Sequence, residues 1–183
     1  MILLGAVLAT TLPMMAEESL ELRTMLDDTL NPLDPGEKKA AVLFFVSPFC
    51  PTSNNFGPAM NAIAADFEKD FAFRIIHSDL TVPEEVIPQH ASLMEFTVPV
   101  LLDAEQKVAK KFGAKITPEV VVVGKEGKVL YQGRINDLYL SPTKRQREVT
   151  KTDLRDALAA IREGKPVPVA RTEAMGCKIS GLE

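Results

Sequence analysis

Apolar residues fall along this chain in two patterns: short unbroken runs, and longer stretches where they recur every three or four positions. The run AAVLFFV at 40–46 follows the charged Glu37, Lys38 and Lys39, and reads as a strand buried on both faces of a parallel or mixed sheet. The turn Ser47-Pro48-Phe49-Cys50-Pro51-Thr52-Ser53 then leads into a stretch where Phe56, Met60, Ile63, Ala64 and Phe67 share one helical face. Thr52 or Ser53 is the expected cap of that helix, and Gly57-Pro58 in its first turns predicts a kink. Residues 71–78 give a second strand. Residues 83–96 give a helix started or interrupted by Pro83 and Pro88, 98–103 a third extended segment, and 105–114 a lysine-faced helix closed by Gly113. The β-branched run 119–123, the turn 124–127 with its two glycines, and the run 128–132 form a hairpin. Leu154, Leu158 and Ile161 mark a helix over 151–163, ended by Gly164 and Pro166. In 19–30, Leu20, Leu22, Leu26 and Leu30 among polar residues predict a further helix, stopped at Asn31-Pro32. Residues 165–183 show no period and read as extended.

Strands alternating with helices, followed by a hairpin and a last helix, predict an α/β fold with a central mixed sheet flanked by helices on both faces. One domain over 17–163 carries a tail, 164–183, that includes Cys177. A chain of 183 residues with 46% hydrophobic residues can bury a sizeable core, which excludes a natively disordered protein. Lys and Arg number 21 against 25 Asp and Glu, a net charge of -4, which argues against nucleic acid as a partner. Lys144, Arg145 and Arg147 fall in a polar connection and read as a solvated loop.

Residues 1–16 are apolar and uncharged and are followed at once by Glu17 and Glu18. They read as an export signal, being shorter than the roughly 20 residues of a membrane span. No Lys or Arg precedes the apolar run, so an uncleaved anchor or a buried helix stays open as an alternative reading. Beyond this segment no apolar stretch is long enough to span a bilayer. Export to the periplasm or the extracellular space would place the chain where a disulfide persists.

Two cysteines, Cys50 and Cys177, exclude a zinc-ribbon cluster and a multi-disulfide miniprotein, and leave one disulfide or one working thiol. Cys50 stands between a buried strand and the start of a helix. Unpaired backbone N–H groups there favour negative charge and lower a thiol's pKa from about 8.5 toward neutrality. The turn formers around it predict a surface position, against the alternative of a buried cysteine acting as a small hydrophobe. His77 and His90 have no cysteine at ligand spacing, so no metal is expected.

The strand-cysteine-helix element AVLFFVSPFCPTS, the proline Pro58 and the Thr117-Pro118 pair directly before EVVVV resemble the thioredoxin-like superfamily, and within it the redoxin branch that includes the peroxiredoxins. The resemblance spans about 40–163. It implies the thioredoxin-like fold, a nucleophilic Cys50, and a cis Pro118 shaping a groove beside the sulfur. Ser53 occupies the place of the second cysteine of a dithiol thioredoxin, so Cys50-Pro51-Thr52-Ser53 closes no local disulfide. Peroxiredoxins carry a proline seven residues and a threonine three residues before the cysteine, where this chain has Leu43 and Ser47. Ser47 can still donate a hydroxyl, whereas Leu43 counts against a peroxidase.

The ending Met175-Gly176-Cys177-Lys178-Ile179 looks like the carboxyl-terminal Gly-Cys segment of some bacterial exported redoxin-domain proteins. On that likeness Cys177 is expected to pair with Cys50, as a permanent staple or as an exchangeable resolving thiol; two unrelated free thiols remain the alternative. A loop of 127 residues closed this way removes denatured-state entropy worth about 5 kcal/mol.

The resemblance thus implies a thiol–disulfide exchange protein, with a thiol-dependent peroxidase or a non-catalytic binding module as the competing readings. Cys50, Cys177 and Pro118, with Ser47 and Ser53, are the catalytic candidates. Pro51, Thr52, Thr117, Glu119 and Arg134 are candidates for the substrate side, Glu119 as a proton acceptor and Arg134 as a guide for anions; a solvated carboxylate and a surface arginine are the plainer alternatives. The implied partners are a thiol or disulfide substrate or a small peroxide, and an external thiol reductant. No metal or organic cofactor is required.

Overall fold

The computed structural model describes residues 20–182. The export-signal reading of 1–16 lies outside them. Strands β1 (Leu22–Thr24) and β2 (Thr29–Leu30) open the chain, followed by β3 (Ala40–Phe45), α1 (Pro51–Asn55), α2 (Gly57–Phe67) and β4 (Phe71–His77). A short 3₁₀ turn (Glu84–Val86) runs into α3 (Ile87–Leu93), and then come β5 (Val100–Leu102), α4 (Lys107–Phe112), β6 (Ile116–Thr117), β7 (Glu119–Gly124) and β8 (Val129–Gly133). The chain ends with β9 (Tyr139–Ser141), β10 (Lys144–Arg145), α5 (Asp153–Arg162) and β11 (Cys177–Lys178). The main sheet has the order β2-β1-β5-β4-β3-β7-β8. β3, β4 and β5 run parallel, whereas β7 and β8 and, at the far side, β1 and β2 are antiparallel additions.

The unbroken apolar run of β3 follows from its central place, since it pairs with β4 on one side and β7 on the other. Its residues alternate between two cores. Ala40, Val42 and Phe44 pack with Phe56, Met60, Ile63 and Phe67 of the α1–α2 segment and with Leu154 and Leu158 of α5. Ala41, Leu43 and Phe45 face Val108 and Ala109 of α4 and, from the tail, Ile179. Truncating Phe44 or Phe45 to alanine would cost about 3–5 kcal/mol.

Three expectations are corrected. The 19–30 helix is instead the β1–β2 hairpin: Leu22 pairs with Leu30 across a turn where Asp27 takes the left-handed conformation, and β1 adds to the edge of β5. Edge pairing overrides a leucine spacing that suits either structure. The kink near Gly57-Pro58 is a full break at Phe56, because Pro58 cannot donate into the preceding turn. Lys144 and Arg145, read as loop, form the exposed strand β10 against β9.

Candidate active site around Cys50

Cys50 itself caps α1. Pro51 takes the first helical position, where a missing N–H costs nothing, and the Cys50 sulfur accepts from the Ser53 N–H at 3.4 Å. This corrects the expectation of Thr52 or Ser53 as cap. The approach loop is tied by short-range bonds: Cys50 N–H donates to the Ser47 carbonyl at 3.1 Å, and Ser47 N–H to the Ser53 hydroxyl at 3.3 Å. Asn54 donates to the Pro48 carbonyl at 3.0 Å and accepts from Nε2 of His90 at 3.0 Å, joining the loop to α3.

Thr117-Pro118 is the cis peptide bond of the described residues. It places the Thr117 carbonyl oxygen 3.0 Å from the Cys50 sulfur, a hydrogen bond in the thiol form and a proton-free contact in the disulfide. β11 pairs antiparallel with β6, setting Cys177 opposite Thr117 and Lys178 opposite Ile116. A disulfide joins Cys50 to Cys177, with their Cα atoms 5.8 Å apart.

The tail therefore roofs the site. Cys50 is only 1% exposed, which corrects the surface position expected from its turn-rich neighbours, while Cys177 is half-buried. Phe49, directly before the sealed cysteine, is 58% exposed. Upstream of Cys177 the tail is held by Gln132, whose N–H donates to the Ala170 carbonyl and whose carbonyl accepts from Thr172 N–H, both at 3.0 Å. Downstream, Ile179 N–H donates to the Lys115 carbonyl at 2.9 Å and the Ile179 side chain is buried.

Other candidate residues have different employments. The Ser47 hydroxyl lies 3.2 Å from Asp79 and donates there rather than to the sulfur. The buried Glu119 carboxylate accepts from Lys115 N–H (3.0 Å) and from Gln132 Nε2 (2.8 Å), so it organises the turn before β7 and is no solvated strand end. The Arg134 guanidinium grips Asp153 through two bonds, 2.8 and 3.1 Å, and is not free to guide an anion. Pro51 is exposed on the first turn of α1, and Thr52 and Ser53 are buried beneath it.

His77 and His90 meet edge to face with ring centroids 5.3 Å apart. Burial, reinforced by the neighbouring His90, pushes the His77 imidazolium down to about 3, against a smaller opposing pull from Asp79. Burial also lowers His90. Both rings are therefore neutral near pH 7, and His90 carries its proton on Nε2 because Asn54 uses its amide nitrogen on Pro48. Among the described residues no group of three or more His, Cys, Asp or Glu is arranged to hold a metal ion.

A family model, the AhpC/TSA family, matches residues 19–132. The chain belongs to the AhpC/TSA family. Solved structures similar to this AhpC/TSA member include an uncharacterized conserved protein from Geobacillus kaustophilus, 26% identical over 89% of this chain and 88% of that one, with a TM-score of 0.75. A hypothetical protein from Sinorhizobium meliloti is also 26% identical, over 88% and 90%, with a TM-score of 0.74. A secreted Mycobacterium tuberculosis disulfide oxidoreductase shares the thioredoxin-like fold at 21% identity, over 79% and 99%, with a TM-score of 0.59. No curated protein matches the chain.

Gln132 and Gln106 escaped the sequence reading. Each is a buried polar residue that bonds to the tail as well as to its nearer neighbours, and no periodicity within its own segment points to the tail.

Proposed function

We propose that this AhpC/TSA protein is a thiol–disulfide exchange protein that cycles between the Cys50–Cys177 disulfide and the dithiol. The observation that carries this reading is the pairing of β11 with β6, which brings a cysteine from the far end of the chain onto the cysteine that caps α1. An incoming thiolate reaches Cys177, because the Cys50 sulfur is sealed. A new sulfur–sulfur bond forms to Cys177 as the internal one breaks, and Cys50 leaves with the electron pair as a thiolate that accepts the Ser53 N–H. A second thiolate then attacks the external sulfur of that mixed disulfide, forming an external disulfide and releasing the Cys177 thiolate. Two external thiols are oxidised and one protein disulfide is reduced. In the reverse sequence the Cys177 thiolate attacks a disulfide substrate and Cys50 resolves the mixed disulfide. This exchanges the roles expected from the resemblance, a nucleophilic Cys50 resolved by Cys177, because Cys50 is the buried sulfur.

Cys50, Cys177 and the Thr117-Pro118 segment are the working parts in this reading, and Ser47 and Ser53 shape the loop that presents the sulfur. The partners are a thiol or disulfide substrate and a thiol reductant. The apolar segment at 1–16 and the description of a similar structure as secreted support a place outside the cytoplasm, in an oxidising compartment such as the periplasm. Among the described residues no helix is long and apolar enough to cross a membrane. The test is reduction of a small aromatic disulfide by the wild-type protein with a thiol as electron source. Activity lost in Cys50→Ser and in Cys177→Ser is the expected result, and equal rates in all three proteins contradict the reading.

A further inference from the structure

Gln106 immediately precedes α4 with φ 57 and ψ 28, the left-handed conformation that a residue bearing a Cβ rarely adopts. The turn itself is secured by other groups: Gln106 N–H donates to the Asp103 carbonyl, and the Asp103 carboxylate accepts from Val108 and Ala109 N–H. Glycine would make that turn without strain. Gln106 also buries its amide almost completely and leaves Oε1 without a partner, a further cost. Two bonds offset both. Nε2 donates to the Ser78 carbonyl at the end of β4 (2.8 Å) and to the Ser180 carbonyl on the tail (2.7 Å).

Ser180 lies three residues beyond Cys177. With the disulfide reduced, nothing covalent keeps Cys177 on Cys50, so its local concentration depends on the non-covalent anchors to either side. Gln132 holds the upstream side through Ala170 and Thr172. On the downstream side Ile179 is held by the Lys115 carbonyl and its buried side chain. The Ser180 carbonyl accepts from Gln106 Nε2 and, at 3.5 Å, from Leu80 N–H, before the chain turns away at Gly181, whose φ of 88 suits glycine.

We propose that Gln106 is a positioning residue for thiol–disulfide exchange: by holding Ser180 it keeps Cys177 against Thr117 in the dithiol form and so sets how strongly the internal disulfide is favoured over external ones. This rests on the exchange reading above. The equilibrium at issue converts the protein dithiol and glutathione disulfide into the protein disulfide and two glutathiones; one sulfur–sulfur bond forms, one breaks, and two electrons pass to glutathione.

The experiment is equilibration of the full-length protein in a series of glutathione redox buffers, followed by acid quench and mass measurement of the oxidised fraction, for wild type, Gln106→Asn and Gln106→Gly. Asparagine and glycine both accept the left-handed backbone, and neither reaches Ser180. In the variants the dithiol relaxes by releasing the tail, whereas the disulfide keeps the tail tethered and bears the loss of the bond, so the equilibrium constant for internal disulfide formation is expected to fall about tenfold in both. Thermal unfolding of each variant in a Cys50→Ser, Cys177→Ser background checks that the fold persists. Variants that fold yet keep the wild-type equilibrium constant overturn the latch. Wild type that forms no internal disulfide in any of these buffers overturns the exchange reading itself, a result distinct from failure of the latch alone.

Discussion

Gly176 and the carbonyl oxygen of Thr117 approach so closely that a Cβ on the glycine would overlap that oxygen and its carbon. The contact lies one residue before Cys177, and the neighbour is backbone held by the β6–β11 pair, so it cannot swing aside. Gly176→Ala should therefore lift the tail from β6. Thiol alkylation and mass measurement at a fixed glutathione ratio should find the oxidised fraction reduced at least about tenfold against wild type. An alanine variant that oxidises like wild type would show that the close approach is unnecessary.

Arg134 and Asp153 are both largely buried and joined by two charge-assisted bonds, so the pair ties the end of β8 to the first turn of α5. Removing one partner strands the other. Asp153→Asn is expected to lower unfolding free energy by about 2 kcal/mol in chemical denaturation. Its exchange rate with small disulfides should match wild type, since the guanidinium serves the fold. A large fall in exchange rate with unchanged stability would return Arg134 to the substrate side.

His77 gives the native protein a pH limit. In the unfolded chain this imidazole gains a proton as pH falls through about 6.5, whereas burial and His90 keep it neutral in the fold down to about 3. The unfolded state then binds more protons across that window, so stability is full above it and declines as pH drops through it, by at most about 1.4 kcal/mol per pH unit for this group. Denaturation midpoints at pH 7.5 and pH 5 should differ more in wild type than in His77→Phe. Equal pH dependence in the two proteins would locate the acid sensitivity elsewhere.

Hydrogen peroxide should be a poor oxidant of this protein. The Cys50 sulfur is sealed by the tail, the Ser47 hydroxyl is engaged with Asp79, and Leu43 is buried in β3 at the place where the peroxiredoxin pattern has a proline. Stopped-flow measurement on the reduced protein should give a rate near that of a free thiol. A rate orders of magnitude higher, lost in Cys50→Ser, would establish a peroxidase.

The central strands were plain in the sequence because burial on both faces leaves no choice of residue: AAVLFF and VVVV announce β3 and β7 without help from any partner. The α1–α2 segment and α5 were equally plain from the spacing of Phe56, Met60 and Ile63 and of Leu154 and Leu158. The β1–β2 hairpin was not, because its strands are two and three residues long and owe their extension to the edge of β5. Cys50 was legible from its place between strand and helix, but its burial was not, since the cover comes from a segment 127 residues away. The tail's order follows the same rule: Ala170, Thr172 and Ile179 are fixed by Gln132 and Lys115, and a two-residue strand leaves no period to read. Gln106 was invisible because its partner, Ser180, is on the tail as well.

The central claim, that Cys50 and Cys177 form a disulfide that external thiols open and close, is tested most directly by peptide mapping of the full-length protein under non-reducing conditions across a glutathione series. A single linked peptide pair containing both cysteines, appearing and disappearing reversibly with the redox poise, is the predicted result. Two separately alkylated cysteines at every oxidising ratio, or a linkage that no thiol opens in the folded protein, would contradict it.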